Sequence, residues 1–230
     1  EESGASGEPA AALRWYVDPL DGTTNYAHGV PHFALNVAVE DAGGLAAGAT
    51  YDPLRDELFL AGRGAGSTLN GQPLRVSAAA SLDQALLVTG FPYDVHQAPE
   101  VPLAIFAAYL RRARAVRRFG SAALDLAYIA CGRFDGFWEM KLKAWDVAPG
   151  ILLVREAGSL FVQSPKELKL NARKDEIDVE ASMLFFVNMF KYVARTLGLE
   201  GMRLFKPSQS PGRLVFANTD PPGVVAGEEM

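Results

Sequence analysis

The chain has 230 residues, 49% of them apolar and 21% charged, which excludes a disordered or collagen-like polymer and leaves room for one large domain or two small ones. Its net charge of −5 offers no broad positive field for nucleic acid or an anionic membrane, and no apolar run reaches the ~18 residues of a bilayer-spanning helix. A single cysteine cannot form an internal disulfide, which points to a reducing compartment.

Trp15–Val17 is short, apolar and β-prone, and it runs into Asp18-Pro19-Leu20-Asp21-Gly22-Thr23-Thr24-Asn25, where Pro and Gly predict a loop. Phe33, Leu35, Val37 and Val39 alternate with Ala34, Asn36, Ala38 and Glu40, the period of a half-buried strand. Leu45–Tyr51 and Glu57–Ala61 read as a hairpin around the turn chemistry of residues 52–56. Gly62–Gly66 and Asn70-Gly71 add turns, so residues 33–77 predict an antiparallel meander.

The pattern then changes. Ala85–Val88 is a buried-looking strand. Val101–Ala113 predicts a helix with Leu103, Phe106, Ala107 and Leu110 on its inner face. Ser121–Cys131 is a second helix stopped by Gly132, Phe134–Met140 a strand, and Trp145–Ala157 a helix ending at Gly158 with Pro149 in its first turn. Phe186, Met189, Phe190, Val193 and Leu197 have helical spacing, and Arg213–Ala217 suits a last strand. An antiparallel-rich sheet followed by a mixed half predicts a layered α/β (α+β) sandwich.

The strongest chemical signal is Asp18-Pro19-Leu20-Asp21-Gly22-Thr23-Thr24. Two aspartates three residues apart, straddling a proline after a strand, can aim both carboxylates and the Leu20 carbonyl at one point. Hard oxygen donors of this kind suit Mg²⁺. Gly22 lets backbone come close, and Gly22-Thr23-Thr24 offers N–H and hydroxyl donors to a phosphate. The blander alternative is an Asx turn with solvated acids. Asp146 by itself reads as a helix cap, Glu139 as a surface acid and Glu1-Glu2 as a frayed terminus.

Together these segments resemble a known family. Residues 15–29, from Trp15-Tyr16-Val17-Asp18 through His28-Gly29, are similar to the first signature of the inositol monophosphatases. Trp145-Asp146-Val147-Ala148-Pro149-Gly150, running to Glu156-Ala157-Gly158, is similar to the second. The resemblance covers residues 1 to about 160, taken as the phosphatase core; residues 161–230 match poorly and are assigned to the same domain. It implies a Mg²⁺-dependent, lithium-sensitive phosphomonoesterase, cytoplasmic and homodimeric, acting on inositol monophosphate or on another sugar or nucleotide monophosphate. By position, Glu1, Asp18, the Leu20 carbonyl, Asp21 and Asp146 would hold metal, with Asp146 also near the substrate. Asp21 and Thr23 would be catalytic, Gly22 and Thr23 would meet the phosphate, and Gly120, Ser121, Ala122 and Glu139 would line the alcohol side. The family also has a helical segment before the stretch that Glu1-Glu2-Ser3 resembles, carrying an acid that pairs with the signature threonine. The 230-residue chain alone is therefore expected to bind metal weakly and to turn over slowly.

Arg111, Arg112, Arg114, Arg117 and Arg118 form a basic cluster. It reads as a solvated helix face, as a rim attracting phosphorylated substrates, or as a docking patch for RNA or the transcription machinery, with which some bacterial members of the family act. His28, His32 and Cys131 read as structural and His96 as loop surface.

Overall fold

A computed structural model describes residues 13–159 in full, together with the strand backbones at 161–163, 168–172, 175–179, 183–187, 202–204 and 216–218. The first sheet is a six-stranded antiparallel meander: β1 (Arg14–Asp21), β2 (Ala34–Asp41), β3 (Gly44–Asp52), β4 (Glu57–Gly62), β5 (Gly66–Leu69) and β6 (Gln72–Pro73), in that spatial order. The short helix α1 (Thr23–Ala27) leaves the end of β1. The second half supplies β7 (Leu86–Thr89), α2 (Glu100–Leu110), β8 (Ala115–Arg117), α3 (Ala122–Ala130), β9 (Gly136–Met140) and α4 (Ala144–Glu156). Then come β10 (Phe161–Gln163), β11 (Leu168–Ala172), β12 (Asp175–Val179), β13 (Met183–Val187), β14 (Met202–Leu204) and β15 (Phe216–Asn218).

The second sheet has the order β10-β13-β9-β7-β8. It is parallel where β7 meets β8 and β9, and antiparallel where β13 pairs with β9 and β10. Helices α3 and α4 lie between the sheets, with α4 against β2, β3 and β4 and α3 against β7 and β9. Every residue of α3 is buried, which fits a helix with neighbours on all sides. Leu126, Ile129, Leu153, Val154, Phe59 and Phe137 form the centre of the core. Beyond the second sheet, Tyr109 of α2 stacks on Trp138 of β9 with ring centroids 4.4 Å apart. No helix among the described residues is long and apolar enough to cross a membrane.

Four expectations change. The inner face of α2 is Pro102, Ile105 and Tyr109, while Leu103 and Leu110 are exposed. The helix is apolar all round, so hydrophobicity alone does not choose its face. Residues 18–21 are not a free loop: they continue β1, with a register shift between Asp18 and Asp21. Phe186 lies in β13, opposite Phe137 of β9, rather than in a helix; Met189, Phe190, Val193 and Leu197 lie outside the described residues. Pro149 is the sixth residue of α4 and not in its first turn. Of the predicted Arg213–Ala217 strand, the described part, Phe216 and Ala217, lies in β15.

Candidate metal centre

The site begins with a bulge. Asp18 pairs with Asn36 and Asp21 with Ala34, so β1 spends three steps where β2 spends two. In a regular strand, residues 18 and 21 would point to opposite faces. The extra residue corrects the parity and puts both carboxylates on the face of Ala34 and Asn36, the buried side of β2. Pro19 suits this place because it has no N–H to lose from the ladder. The Asx turn is also present, with Leu20 N–H donating to Asp18 Oδ1 at 3.0 Å. It coexists with an enclosed acid, since Asp21 is only 8% exposed.

Helix α4 brings the third carboxylate. Oxygens of Asp18, Asp21 and Asp146 lie within 4.8 Å of one another. Asp146 has its capping contact too: Oδ2 accepts the Lys143 N–H at 2.6 Å, which fixes the side chain at the start of the helix. Asp21 Oδ2 accepts a short hydrogen bond from Ser121 Oγ and a second from the Ala123 N–H at 3.1 Å. Burial, and then the charges of Asp18 and Asp146, push the Asp21 carboxyl up to about 7 despite those two donors. A buried carboxylate held beside two others, with hard oxygen donors only, is the donor set of a divalent cation such as Mg²⁺. These residues fit that ion.

The other predicted residues that are described lie around this trio. Thr23 donates its hydroxyl to the Leu20 carbonyl at 2.9 Å, so both belong to one turn. Gly22 has φ +83°, and a Cβ there would stand 3.0 Å from the His32 carbonyl oxygen, so the turn requires glycine. Ser121 caps α3 by accepting the Leu124 N–H at 3.3 Å while its own proton goes to Asp21. Ser121, which position puts on the alcohol side, thus also bonds a member of the acidic trio. Ala122 is buried beside it and Gly120 is in the exposed loop before it. Asn25 Nδ2 ties that loop to the α1 turn by donating to the carbonyls of Phe119 at 2.7 Å and His32 at 2.9 Å.

Glu139, on β9, is largely enclosed and packs over Gly90, where a Cβ would collide with its carboxylate. Burial, then Asp21 and Asp146, push it up to about 8, with Arg118 pulling the other way. Glu1 lies outside the described residues. The five arginines are exposed, and Arg118 stacks on Phe91 at 4.5 Å. His32 is buried against Phe119 and Tyr128, with centroids 5.1 and 6.2 Å away, and His96 is exposed.

Three residues near the site were missed in the sequence. Asp125 of α3 is 1% exposed, and neither carboxyl oxygen has a hydrogen-bond partner among the described residues. Burial first, then Glu139 and Asp21, raise it well above the ordinary carboxylate range. The signal was legible: an acid in the middle of the apolar run 122–130. Tyr93 is exposed as a residue, but partial desolvation of its hydroxyl, and then the charges of Asp21, Asp146 and Glu139, raise its phenol. Asn36, on the inner face of β2, is the third.

The raised carboxyls predict a pH dependence. Between about pH 4, where these acids ionise in an unfolded chain, and about 8, the folded metal-free protein binds more protons than the unfolded one. Stability therefore falls as pH rises through that window. We expect the metal-free Tm to drop by about 5 °C or more from acid to mildly alkaline buffer, and saturating Mg²⁺ to flatten the slope. A metal-free Tm that climbs over this range would contradict it.

The comparisons agree with this geometry. The profile described as "Inositol monophosphatase family" matches residues 1–185, farther than the motifs that end near residue 160. A protein named Nus factor SuhB from Pseudomonas aeruginosa is 50% identical over 165 residues, 70% of this chain and 60% of that protein. An inositol-1-monophosphatase from Rhizobium meliloti is 50% identical over 147 residues, 64% of this chain and 55% of that protein. This chain thus spans 55–60% of the length of these relatives. The structure of an inositol monophosphatase from Anabaena (Nostoc) sp. PCC 7120 superposes with a TM-score of 0.74 at 38% identity, covering 86% of this chain and 77% of that one.

Proposed function

Because the chain belongs to the inositol monophosphatase family, we propose that its site hydrolyses phosphate monoesters with Mg²⁺ as cofactor, and inositol monophosphate to inositol and phosphate in particular. The observation that carries this reading is the convergence of Asp18, Asp21 and Asp146 beside the Gly22-Thr23 turn. A phosphate monoester dianion repels nucleophiles, and its uncatalysed hydrolysis is among the slowest reactions known. When bound, the cation would offset that charge and make water a better nucleophile at neutral pH. Asp18, Asp21 and Asp146 would hold it, together with the Leu20 carbonyl and Glu1.

The chain's own groups do the rest. Thr23 gives its proton to Leu20, so its oxygen lone pairs are left to accept from a water and orient it. Gly22 lets the turn close against the backbone of His32 and Gly120, and the N–H groups of Gly22 and Thr23 would meet the phosphate. Glu139, whose carboxyl feels the charges of Asp21 and Asp146, would meet the alcohol part of the ester and can accept from its hydroxyls or, when protonated, donate to them. Homodimerisation and a cytoplasmic setting belong to the same reading, supported by the family resemblance.

A panel of inositol, sugar and nucleotide monophosphates, assayed for Mg²⁺-dependent phosphate release, tests the proposal. Release from none of them would overturn it, and a preference for a sugar or nucleotide ester would replace only the named substrate. Glu139→Gln is expected to lower kcat/KM for inositol phosphate about 10-fold more than for a simple aryl phosphate, as loss of one substrate hydrogen bond to a charged group would. An equal loss on both, with a raised Mg²⁺ requirement, would instead put Glu139 among the metal-holding groups.

A second reading rests on the relatives named Nus factor and on the five exposed arginines at 111–118: a binding role on RNA or transcription complexes. Binding through phosphate contacts would weaken steeply with salt. A salt titration against RNA that shows no binding at low salt removes the RNA form of this reading.

A further inference from the structure

A proline at the sixth position of α4 has no N–H to give to the carbonyl four residues back, which is that of Trp145. A helix carbonyl left without a donor inside a protein costs about as much as a lost hydrogen bond. Here the donor comes from the sheet. Asn36 Nδ2 lies 2.8 Å from the Trp145 carbonyl oxygen and 2.9 Å from that of Asp146. Thr50 of β3 pairs with Asn36 across the ladder and donates its hydroxyl to Asn36 Oδ1 at 2.6 Å. Both side chains are fully buried. With Oδ1 accepting from Thr50, the NH₂ end must face the helix. Gly48, two residues before Thr50, lets the proline turn settle on β3: a Cβ there would stand 2.9 Å from Pro149 Cα.

We propose that Asn36, oriented by Thr50, is a positioning residue for Asp146: it supplies the hydrogen bond that Pro149 cannot make and so fixes the turn of α4 that presents the Asp146 carboxylate to Asp18 and Asp21. The positioning role rests on the acidic trio being a cation site, as proposed above. The replaced hydrogen bond stands on the geometry alone.

The test exploits the proline. In Pro149→Ala, residue 149 regains an N–H that can bond the Trp145 carbonyl, so Asn36 becomes dispensable. Mn²⁺ binding is measured by calorimetry on wild type, Asn36→Ala, Pro149→Ala and the double variant, alongside melting of the metal-free proteins. Asn36→Ala is expected to weaken Mn²⁺ binding about 10-fold, the scale for groups that orient a metal ligand. Pro149→Ala should stay within about twofold of wild type and the double variant within about threefold, a failure of additivity that marks direct coupling. A merely structural role for Asn36 would leave its cavity, and hence its defect, unchanged by Pro149→Ala. Asn36→Ala binding like wild type, or a double variant as weak as Asn36→Ala, overturns the proposal. If Asn36→Ala does not fold, Thr50→Val takes its place in the same cycle, with the same two outcomes. Wild-type protein that takes up no Mn²⁺ would sink the cation reading and the positioning role with it. The melting cycle would then decide the replaced hydrogen bond by itself.

Discussion

Asp21→Asn is expected to reduce Mg²⁺-dependent phosphate release by about 10³-fold or more, the loss of ~4 kcal/mol of charge stabilisation in the transition state. Asp21 is the most enclosed of the three aspartates and the one that touches α3 as well as the bulge of β1. The fold should survive the change. An amide has nearly the same shape, and its carbonyl can still accept from Ser121 and Ala123. It also removes a carboxyl that burial and two neighbouring charges push up to about 7. In buffer above that value, the metal-free variant should therefore melt higher than wild type, because the folded state no longer carries an unfavourable buried charge. The two measurements move in opposite directions, which separates loss of a functional group from loss of structure. Phosphate release near the wild-type rate would refute the assignment of Asp21.

Gly150→Ala is expected to damage the whole centre from a distance. Gly150 is in the middle of α4, where a Cβ would stand 2.6 Å from Leu126 Cβ of α3. Neither atom can be turned away by a rotamer change, so the two helices must separate. Alanine would normally favour a helix over glycine by about 1 kcal/mol, so any destabilisation reads the collision directly. Overpacking of this kind costs roughly 1–3 kcal/mol; for a chain of this size we expect a Tm lower by about 5 °C. Helix α4 carries Asp146 and α3 carries the Ser121 and Ala123 donors to Asp21. Separation should therefore weaken divalent-metal binding as well. A variant that melts at or above the wild-type temperature would show that the helices give way without cost.

The sequence carried much of this because its strongest signals are local. The meander was legible because strand alternation and turn residues act over a few positions, as at Asp52–Asp56 between β3 and β4. Asp18 and Asp21 were legible for the same reason: bulge, proline and both acids lie within four residues. What escaped depends on partners far along the chain. Leu103 and Leu110 of α2 face outward because Trp138, on β9, stacks against Tyr109. Phe186 lies in a strand whose pairing partner, β9, is about fifty positions earlier, whatever its helical spacing suggests. Asn36 looked like the polar half of an alternating strand, yet its partners are 109 and 110 positions away. Asp125 was visible as an acid in an apolar helix but has no motif around it to say what it meets.

The bonds that Asn25 makes bear on how such a site could diversify. Its amide reaches into the loop before α3, and both of its best acceptors are main-chain carbonyls. A clasp that grips only backbone is indifferent to what side chains the loop displays. Residues 118 and 119 could be exchanged wholesale while the loop stays fastened to the turn that carries Thr23. Variation would then be channelled to the rim, with the acidic trio beneath it left in place and only Glu139 feeling the loss of Arg118. In a library randomised over these two positions, folded members should be common with Asn25 in place and scarce when it is replaced by alanine.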